Sequence, residues 1–185
     1  TGAWVDLDRD EIGLIALEMG VSSRLCAHLK SGEPVVLMGP TGEPSETPGG
    51  ETVLLAGGGL GNAVLFSIGK ALKENGSRVL YFAGYRRAED LFLQHRIEEA
   101  TDEDYVILYF AGHGIEEATD EVVWAVDSGD PIAARRPQDR SYVGNIVRAM
   151  ESYARGEMGE VKVTLQESDR IIAIGSDRMM AAGAA

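Results

Sequence analysis

The chain has 185 residues, 44% of them hydrophobic and 25% charged, and a formal net charge of −13. That length allows one full domain and a fragment of another, and the acidity argues against nucleic acid or an anionic membrane as partner. The single cysteine, Cys26, excludes an intrachain disulfide and any four-cysteine zinc or iron–sulfur site within the chain.

At the N-terminus, residues 1–6 carry neither the basic nor the apolar region of a signal peptide. No later apolar run reaches the roughly 20 residues that span a bilayer. A cytoplasmic setting is expected, and the missing initiator Met suggests a piece of a longer chain. Glu11–Leu17 reads as a strand weakened by Gly13, and Ser22 and Ser23 are N-cap candidates for a short helix ending near Leu29, before Gly32. Pro34–Gly39 reads as a further strand. Residues 40–50 hold three prolines and three glycines, the composition of a connector.

Beyond the connector, strand, turn and helix alternate. Thr52–Ala56 is a short apolar strand, and Asn62–Lys73 a helix with Val64, Ile68, Ala71 and Leu72 on one face, stopped at Asn75-Gly76. Arg78–Ala83 reads as a strand, Ala88–Ala100 as a helix and Val122–Val126 as a strand. Ser141–Arg155 reads as an amphipathic helix and Ile171–Ile174 as a last strand. Continuous apolar strands between helices predict an α/β fold, a Rossmann-like parallel sheet with helices on both faces.

One stretch breaks the alternation. Leu80–Gly84 recurs as Leu108–Gly112, and Ile97–Glu103 recurs as Ile115–Glu121, at offsets of 28 and 18 residues. Removing residues 104–121 would join Glu103 to Val122 and restore a regular succession, so this segment reads as a duplicated insert.

The chemistry-bearing motif is the turn Gly57-Gly58-Gly59-Leu60-Gly61-Asn62, set between an apolar strand and an amphipathic helix. Glycines there permit positive φ and close backbone approach, and the helix N-terminus favours an anion such as a pyrophosphate. No Gly-Lys-Ser/Thr follows, which excludes a Walker A loop, and Val64 stands where a strict G-x-G-x-x-G needs its last glycine. A tight turn with no ligand is the alternative. His28, His95 and His113 lie on separate elements with no ligand spacing, so no metal site is expected. The run Arg135–Arg140 is open to two readings, a surface loop or a neighbour of the cofactor.

Three motifs in order resemble the ferredoxin–NADP reductase-like flavoproteins. Gly20-Val-Ser-Ser, followed by Leu29–Val35 and Gly39-Pro-Thr-Gly42, looks like the end of that family's flavin-binding barrel. Gly57–Gly61 resembles its G-G-G-x-G turn, and Gly175-Ser-Asp-Arg-Met179 its C-G-P-x-x-M segment. Among the branches, the dihydroorotate dehydrogenase electron-transfer subunits and the small subunits of electron-bifurcating ferredoxin:NADP oxidoreductases look most similar.

The resemblance implies a partial flavin-binding barrel remnant over residues 1–46 and an NAD(P)-binding domain over 47–185. It implies a fragment of a flavin-dependent NAD(P)H oxidoreductase that passes hydride between nicotinamide and FAD, with a redox partner subunit or domain. Gly57, Gly58, Gly59, Gly61 and Asn62 would hold the nicotinamide nucleotide's pyrophosphate. Gly20, Ser22 and Ser23 would face that of the flavin, and Gly175 and Met179 would border the nicotinamide. Arg86 and Arg87 fall where the family contacts the adenine ribose, and an arginine fork there would suit a 2′-phosphate and favour NADPH; a solvated loop pair balancing Glu89 and Asp90 is the alternative, which leaves NADH open. The family's R-x-Y-S/T flavin motif is absent, and Ile174 replaces the usual cysteine. A non-catalytic nucleotide-binding or subunit-docking module is therefore the alternative function. Hydride transfer between cofactors requires no side-chain acid or base, so no catalytic residue is expected.

Overall fold

A computed structural model describes residues 2–16, 20–39, 41–91, 119–161, 163–176 and 181. Strand β1 (Gly2–Asp6) pairs antiparallel with β2 (Glu11–Leu14), and a short helix α1 (Val21–Cys26) follows. The main body then runs β3 (Thr52–Gly58), α2 (Gly61–Glu74), β4 (Arg78–Tyr85), β5 (Glu121–Val126), β6 (Arg140–Val143), α3 (Ile146–Ala154) and β7 (Arg170–Ile174). Its five strands form one parallel sheet in the order β6-β5-β4-β3-β7.

Side-chain alternation along these strands divides the core in two. Val53, Leu55, Val79, Tyr81, Val122 and Trp124 pack with Leu65, Phe66, Ile68 and Leu72 of α2. Leu54, Ala56, Leu80, Phe82, Val123 and Ala125 pack with Ile146, Ala149 and Tyr153 of α3. Phe82 meets Tyr153 edge to face, with ring centroids 5.4 Å apart, a contact worth about 0.5–1.5 kcal/mol beyond its area. The Tyr153 hydroxyl donates to the Val163 carbonyl (2.6 Å). Burial, and then the neighbouring Glu121 carboxylate, push its pKa well up.

An acidic or hydroxyl side chain ties each strand entry to its neighbour. Asp169, just before β7, accepts the Thr52 N–H at 2.8 Å. Asp120, before β5, accepts that of Val79 at 2.7 Å, and Asp139, before β6, that of Val122 at 3.0 Å. Ser77, before β4, accepts the Glu51 N–H at 3.1 Å. These bonds close the amino edge of the sheet.

Several boundaries differ from the sequence expectation. Ser141–Val143 belongs to β6 rather than to a helix beginning at Ser141. The helix starts only after Gly144, whose φ of +147° breaks it off, with Asn145 as N-cap. On α2 the deepest residues are Ala63, Leu65, Phe66, Ile68 and Leu72, while Val64 and Ala71 are half-buried. The N-cap of α1 is Gly20, not Ser22 or Ser23. Residues 34–39 form no strand, and Val36 and Met38 are each 92% exposed. Apolar residues with no strand to pair with cannot make a ladder.

Of the expected helix over 88–100, Ala88–Asp90 forms a 3-10 turn, and residues 92–100 lie outside the described residues. So does the insert 104–121, apart from Thr119, Asp120 and Glu121. Beside the sheet, β1 lies along α2, Gly13 of β2 is buried, and half-buried Ile15 just after β2 packs against the core. The other face of this hairpin, Val5, Ile12 and Leu14, is exposed.

Candidate functional site

The chain leaves β3 through α2 to reach β4 on one side, and returns as β7 on the other. Between β3 and β7 the winding therefore reverses, and in open parallel sheets ligands bind outside the carboxyl ends at such a point. The glycine turn stands there.

Two close contacts and one positive φ explain its glycines. A Cβ on Gly57 would fall on Asn62 Oδ1, and one on Gly61 on the carbonyl oxygen of Ile174 at the end of β7. Gly59 has φ +55°, with open space where a Cβ would stand. The turn is closed by Gly59 N–H donating to Gly84 O (2.9 Å), Asn62 N–H to Gly59 O (3.1 Å) and Ala63 N–H to Leu60 O (3.1 Å).

A cleft of about 820 Å³ opens over this turn. It is lined by Gly58, Gly59, Gly84, Tyr85 and Arg86, by Asp127 and Ser176 after their strands, and by Asn145–Arg148 and Glu151 at the cap and first turns of α3. The α3 wall is fixed by the cap, since Asn145 Oδ1 accepts the Arg148 N–H at 2.9 Å. Gly84 makes room for it, because a Cβ there would meet Ile146 at 3.1 Å. Arg86 and Arg148 line the cleft together with Asp127 and Glu151, and Glu151 also pairs with Arg155 at 3.1 Å. Burial drives the Tyr85 hydroxyl well above its ordinary pKa, opposed by a hydrogen bond with the Asn62 side chain.

The structure brings together Gly58, Gly59 and Arg86 on this cleft, with Gly57 and Gly61 just beneath and Gly175 beside Ser176. Asn62, named with the turn as a pyrophosphate contact, is instead fully buried. Its amide donates to Gly84 O (3.1 Å) and accepts from the Tyr81 hydroxyl (2.7 Å).

Arg87 is not on the cleft: its guanidinium lies 3.9 Å from Glu89, and its N–H bonds Asp90. Gly20, Ser22 and Ser23 lie elsewhere, where Ser23 Oγ accepts the Gly20 N–H (3.0 Å) and donates to Gly20 O (3.2 Å). Met179, His95 and His113 fall outside the described residues.

Arg136 is resolved in favour of structure. It forks onto the Asp139 carboxylate (2.7 and 2.9 Å) and Thr119 O (3.0 Å) at the amino edge, away from the cleft. Sequence reasoning missed Asp127, Asn145 and Arg148; the signals for them were the Asp-Ser-Gly turn closing β5 and the Gly-Asn pair before α3. Among the described residues, no group of three or more His, Cys, Asp or Glu could hold a metal ion. None of the described helices is long and apolar enough to cross a membrane.

No family model matches the chain. Over 101 residues it is 31% identical to the electron transfer subunit of dihydroorotate dehydrogenase B (NAD(+)) from Bacillus mycoides (strain KBAB4), covering 53% of this chain and 39% of that one. The subunits of the same name from Bacillus cereus (strain Q1) and Bacillus pumilus (strain SAFR-032) are 30% and 28% identical over the same shares. The chain thus spans 39% of the length of these curated relatives. Among solved structures, an NADH-dependent reduced ferredoxin-NADP oxidoreductase matches 97% of this chain and 52% of its own, with a TM-score of 0.66 and 23% identity.

Proposed function

From a chain that is ferredoxin–NADP reductase-like in sequence and fold, we infer the nucleotide-binding part of a flavin-dependent NAD(P)H oxidoreductase. The observation that carries this reading is the glycine turn at the winding reversal, opening onto a cleft of about 820 Å³.

The residues fit a nicotinamide nucleotide. With the N–H groups of Gly59 and Asn62 spent within the turn, those of Leu60 and Gly61 at the start of α2 are the donors for a pyrophosphate. Gly58 and Gly59 let it approach the backbone, Arg86 serves the adenine-ribose end, and Gly175, followed by Met179, borders the nicotinamide. In such enzymes the nicotinamide and flavin supply the hydride chemistry. This chain supplies binding and orientation.

Residues 1–46 are read as a remnant of the flavin-binding barrel, and 47–185 as the NAD(P) domain. The bare apolar residues Val5, Ile12, Leu14, Val21, Leu25 and Val35–Met38 support this, as surface that the rest of a barrel or a redox partner subunit would cover. Gly20, Ser22 and Ser23 fit FAD poorly as they stand, at the start of a six-residue helix that buries no residue, and none of them lines the cleft. That observation favours the second reading, a nucleotide-binding or docking module without turnover of its own.

The two readings part on one preparation. The purified protein's visible spectrum is recorded, and NAD(P)H oxidation is followed with added FAD and a dye acceptor. Yellow protein with turnover supports the oxidoreductase, and colourless protein that binds NAD(P)H supports the module. Failure to bind either cofactor contradicts both.

A further inference from the structure

We propose that Asn62 is a positioning residue that locks the glycine turn into its nucleotide-receiving shape and so sets the affinity of the cleft. The proposal rests on the nucleotide-binding reading above. Asn62 is the second residue of α2 and has no exposed surface. A buried amide must find partners, and Asn62 ties the turn to two points on β4. Its main-chain N–H closes the turn on Gly59 O, its Oδ1 takes the Tyr81 hydroxyl from the middle of β4, and its Nδ2 reaches Gly84 O near the end of β4.

The Gly84 carbonyl receives two donors, Asn62 Nδ2 and Gly59 N–H, which fills both of its lone pairs. The turn is thereby pinned to β4 from two sides. Gly57 completes the arrangement, because any side chain there would displace the Asn62 amide.

Stability alone does not call for such a network. A buried hydrogen-bonded pair can be replaced by apolar groups of similar shape at little net cost, whereas removing one partner strands the other. What an apolar pair cannot reproduce is the directed bond to Gly84 O. Function and stability therefore separate in a double replacement.

The test compares Asn62→Leu, Tyr81→Phe and the double variant of the full chain. Thermal unfolding, NADPH and NADH titration, and hydrogen exchange at the Gly59 amide are measured for each. Asn62→Leu alone strands the Tyr81 hydroxyl and takes a partner from the Tyr85 hydroxyl, and lowers both stability and affinity. The double variant is expected to recover part of the lost stability, the buried Tyr85 hydroxyl still lacking the Asn62 side chain, yet bind about tenfold more weakly, the cost of roughly one buried hydrogen bond, with faster Gly59 exchange.

Recovery of stability together with wild-type affinity and Gly59 protection would overturn the proposal. If the double variant does not fold, Tyr81→Phe alone decides: faster Gly59 exchange supports the lock, and unchanged exchange overturns it. If the wild-type chain binds neither nucleotide, the functional reading fails by itself. Gly59 exchange in the variants still reports whether Asn62 holds the turn.

Discussion

Gly61 lies so close to Ile174 that a Cβ on the glycine would fall on the isoleucine's carbonyl oxygen. The start of α2 and the end of β7 meet there without room for a side chain, beneath the cleft where the sheet reverses its winding. Gly61→Ala should push the two apart, at a cost of about 1–3 kcal/mol in stability for an overpacked contact. Nucleotide affinity should fall as well. Thermal unfolding and NADPH titration of the same preparation measure both.

The amino edge of the sheet should behave in the opposite way. Asp120 accepts the Val79 N–H (2.7 Å) and pairs with Lys73 (2.6 Å), with both side chains partly buried. Asp120→Ala leaves the Val79 N–H without its acceptor, a loss of about 1–3 kcal/mol. Because these bonds lie at the far end of the strands from the cleft, nucleotide affinity should not change. Urea denaturation beside a binding titration checks the separation.

The two adjacent arginines should differ. Arg86 lines the cleft and Arg87 does not. If Arg86 meets a 2′-phosphate, Arg86→Ala weakens NADPH binding by about tenfold, as the loss of one charge-assisted bond would, and leaves NADH binding nearly unchanged. Arg87→Ala should leave both unchanged. Equal losses for NADPH and NADH would remove the 2′-phosphate from the account.

Deleting residues 104–121 tests the duplicated segment. Thr119, Asp120 and Glu121 are buried or paired at the entry to β5, and Thr101-Asp102-Glu103 repeats them in the same order. The deletion joins Glu103 to Val122, so the same three residue types again precede β5. The shortened chain should fold with unchanged or higher Tm and keep its nucleotide affinity. A chain that no longer unfolds cooperatively would show that the segment is structural.

The parallel sheet and the glycine turn were readable because their signals are local. Apolar runs such as Val79–Phe82 fit only strands covered on both faces, and three successive glycines between a strand and a helix leave few other conformations. Strand β6 was not, because Tyr142, Ile146, Ala149 and Tyr153 continue a helical spacing across Gly144. The break comes from that residue's backbone and from pairing with β5, which no local pattern carries.

Asn62 illustrates a similar limit. A polar residue after a glycine turn reads as a ligand contact until Tyr81 and Gly84, about twenty positions away, are found on either side of its amide. The reverse held for Val35–Met38, whose apolar run reads as a strand although the described chain offers no neighbour to pair with.

The central claim is that the cleft over the Gly57–Gly61 turn receives a nicotinamide nucleotide, and calorimetric titration of the purified chain with NADPH and NADH tests it most directly. The account predicts saturable one-to-one binding in the micromolar range, weakened in Gly61→Ala but unchanged in Asp120→Ala. Absence of binding by a folded wild-type chain, or binding that Gly61→Ala leaves intact, would contradict it.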